Sequence, residues 1–162
     1  MTVSLLWPGA GGKFPLAGIT GCCRADGVAW LGRPGQPNDV VAAFGAVRAL
    51  RIALAVGGGV DAAQTVAALA SAAGCPILVV AGHDGGLTVA AAGLSGLLAP
   101  TSTGVLRPLV PRDHPMLTGR GGALVLPMPP PALVAEMHGV ELEGKSMDEV
   151  RARCAEVLWT AG

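Results

Sequence analysis

Two short stretches set an imidazole beside a carboxylate: His83-Asp84 and Asp113-His114. If folding brought them together, such groups could hold a metal or relay a proton, because imidazole titrates near neutral pH and its nitrogens are good ligands. Adjacent residues usually point in different directions, and Asp84 stands in the turn-like run His83-Asp84-Gly85-Gly86, so a polar turn is the favoured reading of each pair. Thr101, Ser102 and Thr103 form a hydroxyl cluster. A hydroxyl becomes a nucleophile only beside a base and an orienting partner, and without an elbow motif the cluster reads as a polar loop capping the next element. Cys22-Cys23 lacks Cys-x-x-Cys spacing and reads as buried thiols. Gly57-Gly58-Gly59 follows an apolar run and precedes a helical pattern, where backbone N–H groups can face an anion. It has neither the Walker Lys and Ser/Thr nor the spaced glycines of a dinucleotide fingerprint, so a tight turn is the competing reading.

The elements that must carry these residues follow from periodicity. Val3 to Trp7 and Gly27 to Leu31 read as short strands, and Val40, Phe44 and Val47 share one face of a helix opened by Asn38 or Asp39. Ile52 to Val56 reads as a buried strand, Asp61 to Ala73 as an alanine-rich helix stopped by Gly74, and Ile77 to Val80 as the next strand. Both strands are unbroken apolar runs, the pattern expected where helices cover both faces of a parallel sheet. Leu87 to Leu98 fits helix or hairpin, Ala123 to Leu126 a late strand, and Pro127 to Pro131 a stiff connector. Ser146-Met147-Asp148-Glu149 is a capping box opening a last helix that turns Val150, Cys154 and Val157 inward. The expected fold is a single α/β domain over residues 1–162: a three-layer α/β/α arrangement around a mainly parallel sheet.

Composition limits the partners. The chain has 162 residues, 51% of them apolar, enough for one continuous core. Lys and Arg number eleven, as do Asp and Glu, and the basic residues are scattered, which argues against nucleic acid and anionic lipid. The start lacks a basic leader, and the longest uncharged apolar stretch, Leu87 to Ala99, is too short to span a bilayer. The expectation is a cytoplasmic protein with reduced thiols and no membrane span. Few charges, with Trp7, Trp30 and Trp159 available, suggest an apolar interface and hence a homo-oligomer or heteromer.

Read in order, several segments resemble the pyrimidine-binding domain of thiamine-diphosphate enzymes, the class that includes acetolactate synthase and the two-subunit sulfopyruvate and phosphonopyruvate decarboxylases. Leu5-Leu6-Trp7-Pro8-Gly9 is similar to that family's first strand, and Val40 to Leu50 to its alanine-rich helix. Ile52 to Gly59 resembles its strand followed by Gly-Pro-Gly, and Ala67 to Gly82 the stretch in which a helix leads into proline, a buried strand and glycine. Gly119 to Pro127 resembles its closing strand. The matches cover about two thirds of a chain whose length suits one such domain standing alone.

The resemblance implies a subunit of a 2-oxo acid decarboxylase or lyase that completes a thiamine diphosphate site, with the diphosphate and Mg²⁺ held by a partner chain. Gly57, Gly58, Gly59, Gly82 and His83 are the implied cofactor contacts. Where the family carries a Glu that protonates the aminopyrimidine, this chain has Gln36 and Asp39. Gln36 can hydrogen-bond the ring but cannot exchange its proton, and Asp39 is shorter and competes as a helix cap, which implies weakened or lost catalysis.

Two other readings stand beside it. In a profilin-like or GAF-like sensory or scaffold domain, Asp26-Gly27 and Asp84-Gly85-Gly86 are hairpin turns between antiparallel strands, since Asp-Gly between apolar runs is a hairpin signal. In a Rossmann-like domain the triple glycine binds a small ligand. Strand direction separates them: a parallel pair of Ile52–Val56 beside Ile77–Val80 supports the cofactor-subunit or Rossmann-like reading, and a central antiparallel sheet the sensory one.

Overall fold

The computed structural model describes residues 2–7, 23–25, 28–32, 63–64, 66–68, 70–71, 76–83, 86–137 and 140–160. Among these lie ten strands: β1 (Thr2–Trp7), β2 (Cys23–Ala25), β3 (Val28–Gly32), β4 (Ile77–His83), β5 (Gly86–Ala92), β6 (Gly96–Pro100), β7 (Leu106–Pro108), β8 (Gly122–Leu126), β9 (Ala132–Glu136) and β10 (Ala155–Thr160). They form two five-stranded sheets, β10-β1-β9-β6-β7 and β2-β3-β4-β5-β8. The second sheet is antiparallel at every pairing. The first is mixed, with β1 and β9 parallel and its other neighbours antiparallel.

This overturns the expected three-layer α/β/α fold with a mainly parallel sheet. Ala25 pairs with Val28, and His83 with Gly86, so only Asp26-Gly27 and Asp84-Gly85 separate the paired strands in sequence. Two residues suffice for a hairpin, whereas a parallel crossover needs a dozen or more. Both sides of β4 are occupied, by β3 and β5, which leaves no edge for a parallel neighbour. Ile52–Val56, the strand expected beside it, lies outside the described residues, as does the helix expected from Val40.

The continuous apolar runs report burial on two sides, though not strand direction. Val3 and Leu5 of β1, Leu78 and Val80 of β4, Leu87, Val89 and Ala91 of β5, Leu97 of β6, and Leu133 and Ala135 of β9 meet in one cluster. Alternate residues from both sheets thus face a shared core, the geometry of two sheets packed face to face. On the far side of the mixed sheet, Leu6, Leu98, Leu106, Ala132 and Val134 pack with Leu142 and Val150. On the far side of the antiparallel sheet, Ile77, Val79, Ala90 and Ala92 are fully buried as well.

Leu87 to Leu98, which fits helix or hairpin from sequence, forms two strands that belong to different sheets. The chain passes between them at Gly93-Leu94-Ser95, where the Gly93 amide donates to the Thr118 carbonyl and the Ser95 amide and hydroxyl both donate to the Glu136 carbonyl. The expected last helix also changes. The capping box is present, with Ser146 Oγ accepting from the Glu149 amide and the Glu149 side chain accepting from the Ser146 amide, but the helix ends after Met147–Arg151. Val157 lies in β10, paired with Leu5 of β1, so it is a strand residue and not part of a helical face. Five residues of helix are marginal by themselves, and the pairing of residues 155–160 along the whole of β1 outcompetes its extension. Residues 63, 64, 66–68, 70 and 71 are helical, within the helix expected from Asp61. Val66 is buried and Gln64, Ala68 and Ser71 are exposed, the split of an amphipathic helix.

Candidate functional site

The residues expected from sequence to form the site are Gln36, Asp39, Gly57, Gly58, Gly59, Gly82 and His83. The first five lie outside the described residues. Gly82 and His83 close β4 and are paired with Leu87 and Gly86 in the hairpin to β5. Gly86 packs against Leu126 and Pro127, at the end of β8, while the His114 ring packs against Gly122 at its start. The backbone of His83 and the His114 ring therefore lie toward opposite ends of β8, a strand about 13 Å long, while Asp84 is outside the described residues. Among the described residues no three His, Cys, Asp or Glu side chains are grouped to hold a metal. The hydroxyl cluster is a polar turn: Thr101 Oγ1 donates to the Val105 carbonyl and lies 3.0 Å from Thr103 Oγ1. Cys154 is half-buried, and burial pushes its thiol up to about 11 while Arg153 opposes the shift, so it stays protonated at neutral pH.

A different arrangement forms around His114. The residue caps the short 3-10 helix Pro115–Leu117, with its Nδ1 accepting from the Met116 amide at 3.2 Å. Pro115 suits the first helical position because it has no N–H to satisfy. Met116 is buried in the core between the sheets, which anchors the turn. Thr118 ties its far end: its amide and hydroxyl donate to the Pro115 carbonyl, and its hydroxyl accepts from the Arg120 amide.

Two glycines then bring this turn against the helix at residue 63. Gly121 has φ +74°, and a Cβ there would lie 2.4 Å from the Ala63 carbonyl oxygen. A Cβ on Gly122 would lie 2.7 Å from the Met116 amide nitrogen and 3.0 Å from His114 Cε1. Both contacts are too close for any side chain, so bare backbone is what allows helix, imidazole and strand to converge.

Where they converge there is an open cleft of about 530 Å³, bordered by Ala63 and Gln64 on the helix and by His114, Pro115 and Arg120 to Ala123 on the facing segment. Among the described residues, its chemistry comes from one imidazole, one guanidinium and one carboxamide, set among alanine, proline and glycine. Asp113 is exposed and is not part of the lining.

Arg112, close by in sequence, is held elsewhere. Its guanidinium bonds Glu136 at 2.6 Å, Glu143 at 3.0 Å and the Ser95 carbonyl at 2.8 Å. Glu136 is only 2% exposed, and its second oxygen accepts from the Leu142 amide, so this buried carboxylate is paired and hydrogen-bonded as its burial requires. Arg112 is thus a structural clamp.

From sequence, His114 was visible as half of a His–Asp pair, but Arg120 and Gln64 carried no local signal. The adjoining Gly121-Gly122 was the one available hint of a close approach. No protein-family model, curated protein or solved structure is detectably similar to this chain. Among the described residues no helix is long and apolar enough to cross a membrane.

Proposed function

We propose that this protein is a small-molecule-binding domain whose site is the cleft between Gln64 and the His114–Ala123 segment. The observation that carries this reading is the cleft itself: a space of about 530 Å³, the size of an ordinary ligand pocket, walled by apolar groups with a few polar ones. Among the described residues its lining offers an imidazole, a guanidinium and a carboxamide, groups suited to orienting a ligand by hydrogen bonds. Two sheets packed through a shared core supply a rigid support, as a preformed site requires.

Amide NMR spectra of the full chain during titration with a library of small fragments test the proposal. Shifts gathered at residues 63–64 and 114–123 are expected, and a library that leaves those amides unmoved would reject it. The thiamine diphosphate expectation, with a partner chain holding diphosphate and Mg²⁺, draws no support from the antiparallel surroundings of β4. Including thiamine diphosphate in the same titration tests it directly. Association with a second copy or another chain is a separate proposal resting on composition, and light scattering of the purified protein tests it.

A further inference from the structure

We infer, building on the cleft reading above, that the ligand carries a small oxyanion, a carboxylate or phosphate, which His114 and Arg120 hold together. The orientation of the imidazole comes first. Nδ1 accepts a hydrogen bond from the Met116 amide, so it bears no proton, and the ring hydrogen resides on Nε2. A backbone donor thus fixes the tautomer and leaves His114 a donor toward anything else it meets.

Arg120 contributes donors only, since a guanidinium has no acceptor. Among the described residues no carboxylate pairs with it, in contrast to Arg112, whose guanidinium meets both Glu136 and Glu143. Among the described residues that border the cleft, Gln64 is the one whose free side chain presents an acceptor, and none is acidic. A space whose described lining includes an imidazole with a free N–H and a permanent cation favours a negatively charged acceptor. A guanidinium engages the planar or tetrahedral oxygens of such groups through two parallel bonds. The backbones that carry the two residues are tied into one segment: His114 caps the turn, and the Arg120 amide donates to Thr118 at the turn's far end.

The test is an amide NMR titration of the full chain with sodium phosphate, sodium acetate and neutral acetamide at fixed ionic strength. Saturable shifts at residues 114–123 are expected with phosphate, acetate or both, which also distinguishes the two oxyanions, and acetamide should be much weaker. Arg120→Gln, a change at an exposed side chain, should weaken the anion by roughly tenfold or more, the size of a lost charge-assisted bond. His114→Asn keeps an acceptor for the Met116 amide but removes the Nε2 donor, and should weaken binding while leaving the remaining spectrum in place. Binding unaffected by Arg120→Gln would overturn the inference. So would neutral fragments that shift residues 114–123 when neither anion does, although the cleft would stand. If no small molecule moves those amides, the cleft reading falls as well.

Discussion

Gly122 stands where the approach of three elements is closest. Replacing its hydrogen with a methyl drives a carbon toward the Met116 amide nitrogen, which belongs to backbone and cannot swing aside, and toward the His114 ring, which can move only by giving up its cap. Gly122→Ala is therefore expected to cost roughly 1–3 kcal/mol, the usual penalty of overpacking, read as a lower urea midpoint at unchanged slope. The amides of residues 114–117 should shift with it. Gly121→Ala adds a left-handed backbone conformation to a clash with the Ala63 carbonyl, so it should be at least as damaging. By comparison Gly104 and Gly144 also have positive φ, but a Cβ there would meet nothing within 4 Å, which separates the effect of conformation from that of crowding.

Helix Met147–Arg151 shows how little intrinsic stability an element needs once its ends are fixed. Ser146 and Glu149 satisfy each other's backbone at its start, Val150 is buried against the mixed sheet, and Arg151 bonds Glu156 of β10. Ser146→Ala should cost about 1 kcal/mol, measured as a fall in thermal midpoint, because an orphan amide loses its acceptor. Glu156 adds a pH dependence. Its carboxyl is held below the ordinary carboxylate range first by Arg151 and then by the Ser4 hydroxyl, which donates to it at 2.8 Å. A folded-state pKa below the unfolded value, about 4.3 for Glu, contributes stability at higher pH that is lost as acid carries the group through its lower folded pKa. Between about pH 4.5 and acid the protein should lose stability more steeply than Glu156→Gln, and equal slopes in acid denaturation curves would contradict this attribution.

At the scale of the whole molecule the core between the sheets is the main stabilising feature. Leu5, Leu78, Leu87 and Leu97 come from four strands in two sheets and share that core with no exposure, or nearly none. Truncating any of them leaves a cavity that both sheets border. Leu87→Ala should cost about 2–5 kcal/mol in chemical unfolding, far more than Val125→Ala at an exposed edge position. Because the cleft is bounded by β8 and by a turn anchored through Met116 in the same core, Leu87→Ala should also broaden the amide signals of residues 114–123.

The sequence by itself determined which stretches are buried, where several strands run, and how one helix begins. β1, β3, β4 and β8 lie close to the apolar runs that marked them, and the capping box at Ser146 is a local pattern with a local cause. It also contained the two Asp-Gly hairpin signals. Strand direction was decided by tertiary structure. An unbroken apolar run records cover on both faces, and two packed sheets whose outer faces are also buried meet that condition as fully as a parallel sheet between helices does. The extent of the last helix was decided in the same way, because residues 155–160 satisfy their backbone against β1 and not within a longer helix. The cleft depends on tertiary structure most of all. Gln64 is fifty residues from His114, and what joins them is the steric room left by two glycines, a property of packed backbone that no local spacing encodes.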